Sequence, residues 1–163
     1  MDRLARIFGP WPASTIPTAP KKEAPMDMTA LRAELKRDEG VKAQAYQDSK
    51  GIWTVGVGHN LQTKPLSQAA IEQILSDDIA DAVREAHALV PGLDTLDNVR
   101  QRVLVNMAFN LGQGTLSHFV KFLAAVHAQD WKTAATEMST SAWAAQVGMR
   151  AVRLEAMIRT GVV

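Results

Sequence analysis

The chain has 163 residues, 47% hydrophobic and 21% charged, enough for one domain with a real core and unlike a disordered or fibrous composition. It contains no cysteine, which excludes a disulfide framework and a thiolate zinc site. The net charge of +1 is unevenly spread: Leu66 to Asn98 holds seven acids against one arginine, whereas Val99 to Val163 holds seven basic residues against three acids. A basic half suits a polyanion such as a nucleic acid, a membrane or a bacterial wall; ordinary scatter over solvated helix faces produces the same count.

Residues 1–27 carry five of the seven prolines. Proline fixes φ and removes a donor, so this stretch is expected to be an extended N-terminal arm, either a linker or a docking segment for a partner. Its most apolar run, LARIFGPWPA, is far shorter than the roughly 20 residues a membrane span needs and lacks the pattern of a signal peptide. Neither a membrane span nor self-export is expected.

From Met28 the pattern becomes helical. Asp27 or Thr29 can cap, Leu31 and Leu35 share a face, and Gly40 can terminate, which puts Glu39 at the helix end. AYQDSKGIWTVGVGH then reads as a β-hairpin with a turn at Asp48–Gly51. Trp53, Val55 and Val57 alternate with Thr54, Gly56 and Gly58, so one face is apolar, and the other small and polar.

Everything after Pro65 reads as helix. Ser67 can cap a long helix to about Leu89, with Ile71, Ile74, Leu75, Ile79, Ala82, Val83 and Ala86 on its buried side. A second helix is expected from about Thr95 to Leu111. VLVNMAFNL is too apolar for the surface and marks this helix as central. Further helices are expected at 115–128, 130–138 and 143–159. The fold class is therefore α+β: a small lobe at about 40–66 carrying the hairpin, a long connecting helix, and a larger helical lobe at about 90–163.

Cleaving a glycosidic bond needs a proton for the leaving oxygen and a carboxylate that assists water or attacks the sugar. Glu39 at a helix end and Asp48 in a turn could face each other across a groove, with the Thr54 hydroxyl holding a water. Singly these residues say little, since a glutamate at a helix end is ordinarily solvated and an aspartate in a turn usually serves the turn. Their joint spacing, Glu-x8-Asp-x5-Thr followed by VGVGH, carries the information.

On these residues, together with DEG, AYQD, GIWTVGVGH, LDNVR, NMAFNLG, SAW and RTG, the stretch from about 30 to 163 resembles the phage T4-type lysozymes, a family of muramidases. The resemblance implies a lysozyme-like fold and cleavage of peptidoglycan with inversion. Glu39 would be the general acid, Asp48 the carboxylate acting on water and Thr54 the holder of that water. It further implies Arg150 beside the glutamate, Arg153 beside Asp38, and His59 against an acid of the helical lobe. Asn110 stands where the prototype has glutamine, and Trp143 matches a core tryptophan beside the cleft. Structural roles compete for these helpers: Arg150 as an ion-pair partner, His59 as a packing residue, Trp131 and Trp143 as core.

His87, His118 and His127 lack ligand-like spacing, so no metal or cofactor is expected. The segment between His59 and the long helix is shorter than in the prototype, which also lacks the N-terminal extension. The resemblance implies a monomeric enzyme made in the host cytoplasm and acting on the wall in the periplasm, with no nucleic acid as partner. Its role is lysis or, if residues 1–27 dock to a phage structural protein, wall penetration from the virion. A lytic transglycosylase, which needs one glutamate and uses the sugar's own 6-hydroxyl, is the chemical alternative; the Asp48 and Thr54 pair favours hydrolysis.

Overall fold

The computed structural model describes residues 25–163. The proposed arm lies outside them except for its last three residues. The protein is α+β, with seven helices and a three-stranded antiparallel sheet among the described residues, and it divides into two compact units between Pro65 and Leu66.

In the first unit, α1 spans Met28–Glu39. Asp27 caps it, its carboxylate accepting from the backbone N–H groups of Thr29 and Ala30 at 2.9 and 3.0 Å. Gly40 ends it with φ 74°. Strands β1 (Lys42–Gln47), β2 (Trp53–Gly56) and β3 (His59–Asn60) follow in sheet order β1-β2-β3. The third strand was not expected: the chain turns back at Gly56–Gly58 and pairs Val55 with His59 and Thr54 with Asn60.

Within β2 the polar residue is the buried one. Trp53 is 47% exposed, whereas Thr54 is 5% exposed and is the one polar side chain in the buried class among the described residues. Register sets its neighbours: Tyr46 and Asn60 pair with Thr54 from either side, so all three share a face and the larger residues flank the threonine.

In the second unit α2 spans Gln68–Leu89, capped by Ser67, whose hydroxyl accepts from the Ala70 N–H at 3.2 Å. Only part of its expected buried side is buried. Ala82 and Ala86 are in the core, but Ile71, Ile74, Leu75 and Ile79 are exposed. Helix α3 spans Asn98–Leu116 and begins later than expected, because Leu93–Thr95 forms a separate 3-10 turn and Asp97 is the cap. It is the core helix the apolar run suggested: Val103, Leu104, Met107 and Ala108 are fully buried. Gly112, with φ 71° and ψ 158°, kinks it.

Helices α4 (Val120–His127) and α5 (Trp131–Ser139) follow. The expected last helix is two, α6 (Ala142–Val147) and α7 (Met149–Thr160), broken at Gly148 with φ 55° and ψ −122°. The core of this unit joins α3 to Phe122 and Val126 of α4, Met138 of α5, Trp143 of α6, and Leu154 and Ile158 of α7.

Candidate active site

The Asp48 turn is built from backbone hydrogen bonds. The Asp48 N–H donates to the Ile52 carbonyl and the Gly51 N–H to the Asp48 carbonyl, both at 3.0 Å. This closure aims two further N–H groups at the aspartate: those of Lys50 and Ile52 donate to Asp48 Oδ1 at 2.8 and 2.9 Å. Hydrogen bonds to the charged form favour it. The Ile52 N–H, the Lys50 N–H and the nearby Lys50 ammonium together hold the Asp48 carboxyl below its ordinary value, against a desolvation effect that raises it. Asp48 is thus kept ionised. Among the described residues Oδ2 accepts no hydrogen bond, so it can accept one from a water.

Thr54 is tied to the same residue, Ile52. Its hydroxyl donates to the Ile52 carbonyl at 3.1 Å, so its lone pairs remain available to accept. Ile52 therefore bridges the two side chains, its N–H on Asp48 and its carbonyl on Thr54. Sequence reasoning missed Ile52 because its contribution is entirely backbone; the offset of four residues within the turn was the available signal.

Glu39 is the last residue of α1, and its carboxyl Oε2 lies 3.8 Å from where a Cβ on Gly58 would stand. The fold of the first unit thus brings the acid to the β2–β3 turn of the strand that carries Thr54. Glu39 is exposed. Asp38 beside it is paired with Arg37 at 3.0 Å. The ring of His59 donates from Nε2 to the Lys64 carbonyl at 2.9 Å, because a carbonyl only accepts, and so holds the 59–64 loop closed. Asn60 secures the same loop, its side-chain oxygen accepting from the N–H groups of Gln62 and Thr63 at 2.9 and 3.0 Å.

In the second unit two of the expected helpers meet. The Trp143 indole N–H donates to Asn110 Oδ1 at 2.7 Å, which satisfies a buried tryptophan and orients an exposed amide. Arg150 is held by a residue the sequence reading overlooked. Its Nε and Nη2 donate to Asn106 Oδ1 at 2.9 and 2.8 Å, and Nη2 also to the Asn106 carbonyl at 3.2 Å. The signal was present: Asn106 is a lone amide inside the apolar run VLVNMAF, where a half-buried polar group requires a partner.

Comparison with known proteins adds three findings. The phage lysozyme family model matches residues 36–159. The probable T4-type lysozyme 1 of Dictyostelium discoideum is 29% identical over 163 aligned residues, covering 82% of this chain and 96% of that protein. The pre-baseplate central spike protein Gp5 of Enterobacteria phage T4 is 32% identical over 178 aligned residues. That alignment covers 92% of this chain, which spans 30% of the spike protein.

Proposed function

We propose, from the premise that the chain belongs to the phage lysozyme family, that it hydrolyses the β-1,4 bond between N-acetylmuramic acid and N-acetylglucosamine in bacterial peptidoglycan. Membership makes it a glycoside hydrolase. The observation that carries the finer reading is Ile52, whose N–H binds an ionised Asp48 and whose carbonyl binds the Thr54 hydroxyl, on the strand that leads to the turn beside Glu39.

In this mechanism Glu39 donates its proton to the leaving oxygen of a glycan strand lying over it. Water lodges between Asp48 Oδ2 and Thr54 Oγ1. It hydrogen-bonds to the hydroxyl's lone pairs and gives its other proton to Asp48 as its oxygen attacks the anomeric carbon from the face opposite the leaving group, leaving Asp48 protonated and Glu39 ionised. The product inverts.

Glu39→Gln removes the proton and is expected to lower wall lysis by about 10²–10⁴-fold with helical content unchanged. Wild-type lysis by that variant refutes the assignment. Asp48→Asn is expected to be severely impaired. Mass spectra of digested wall separate the chemistries: reducing ends mark hydrolysis, 1,6-anhydro ends a lytic transglycosylase.

A second reading concerns where the enzyme works. Similarity to a central spike protein over 92% of the chain favours a lysozyme carried in the virion for entry, with residues 1–27 as the anchor, over one released only at lysis. The test is the protein's presence in purified particles, with and without residues 1–27. Association unchanged by the truncation dismisses the arm as an anchor.

A further inference from the structure

The β2–β3 connection closes over three residues, Gly56, Val57 and Gly58, between the paired Val55 and His59. Both glycines take left-handed backbone, with φ +68° and +70°, so the turn alone accounts for glycine at each. Their surroundings differ. A Cβ on Gly56 would meet nothing within 4 Å, whereas one on Gly58 would stand 3.8 Å from Glu39 Oε2. The leaving oxygen must come within about 2.6–3.2 Å of that carboxyl group. A methyl group at 58 would sit in van der Waals contact on one flank of the approach.

We propose that Gly58 is a positioning residue for the acid: by carrying no side chain it keeps one flank of the Glu39 carboxyl group open to water and to the glycosidic oxygen. The inference rests on Glu39 as the proton donor. Several ionisable groups on the elements around Glu39 are engaged elsewhere. Asp38 is paired with Arg37, the Lys42 ammonium lies over the Tyr46 ring at 4.6 Å, and His59 is bound to the Lys64 carbonyl. A substitution at 58 leaves all of them in place.

The matched glycine makes the test clean. Gly56→Ala and Gly58→Ala impose the same left-handed penalty, so both are expected to lower Tm by similar amounts. Only Gly58→Ala replaces water beside the carboxyl group. It is expected to move the basic limb of the kcat/KM profile to higher pH, and to lower the plateau about tenfold further than Gly56→Ala does. Gly58→Asn covers the case in which the alanine variant fails to fold. Asparagine tolerates this backbone, and its amide would donate to the ionised carboxylate, so the limb is expected to move down. If Glu39→Gln still lyses walls, the functional reading falls and this inference with it. If Glu39→Gln is silent but the limbs of Gly58→Ala and Gly58→Asn both coincide with that of Gly56→Ala, the role of Gly58 alone is overturned.

Discussion

Replacing Gly161 with alanine tests how the second unit is locked at its C-terminus. Gly161 caps α7 in left-handed backbone, φ 71°, with its N–H on the Met157 carbonyl at 2.9 Å. Against it lies the guanidinium of Arg100, from the first turn of α3. Nε and Nη2 of Arg100 donate to the carbonyls of Ile158 and Arg159 at 2.9 and 3.2 Å, Nη1 to Asp97 Oδ2 at 2.6 Å, and the group lies 4.4 Å over the Trp131 ring. One cation thus satisfies carbonyls at the negative end of α7 and ties α3, α5 and α7 together. A Cβ on Gly161 would stand 2.6 Å from Arg100 Nη1, which forces the guanidinium to move. The left-handed backbone costs alanine about 1 kcal/mol. Weakening two hydrogen bonds from a charged donor adds roughly 1–3 kcal/mol. The expected loss is about 2–4 kcal/mol, a fall in Tm of about 5–12 °C at this chain length. Urea unfolding followed by circular dichroism measures it. The decisive comparison is the same substitution in an Arg100→Ala background, where only the backbone cost of about 1 kcal/mol should remain. Equal losses in the two backgrounds would refute the reasoning.

Three further predictions rest on single observations. Because Asp48 is held below its ordinary value, its stabilisation is fully present above the unfolded aspartate value and is lost as pH falls through the lowered folded one. Stability measured against pH should lose that part of its acid slope in Asp48→Asn, and an unchanged slope contradicts the turn geometry. Thr54→Val removes the hydroxyl donated to Ile52 and should cost about 1 kcal/mol and most of the activity, both recovered in Thr54→Ser; full activity in the valine variant removes Thr54 from the water site. Asn106→Leu strips Arg150 of its side-chain acceptor, leaving the backbone carbonyl, and should cost about 1–2 kcal/mol by thermal unfolding, whereas Asn106→Asp, which keeps a side-chain acceptor, should cost less. Equal losses would show that the asparagine serves only by packing.

Much of the local architecture is written within windows of four or five residues. Asp27 and Ser67 cap because their oxygens reach N–H groups two or three residues on, and Asp48–Gly51 turns for the same reason. The apolar run of α3 can only be core. The order of Glu39, Asp48 and Thr54 along the chain was likewise enough to suggest a pair of carboxyl groups with a water-holding hydroxyl. Tertiary structure decided the rest, because periodicity reports which residues share a face and not what lies over it. Trp53 and Thr54 alternate as expected, yet the register of β1 and β3 buries the threonine and leaves the indole exposed. The apolar stripe of α2 continues past the core it serves, so its isoleucines are exposed while Ala82 and Ala86 are not. Partners far apart in sequence leave no local mark: Glu85 accepts from the Gln113 N–H beyond the kink of α3, Asn106 holds Arg150, and Asn110 holds Trp143. Each joins residues at least 28 apart, and only folding brings donor to acceptor.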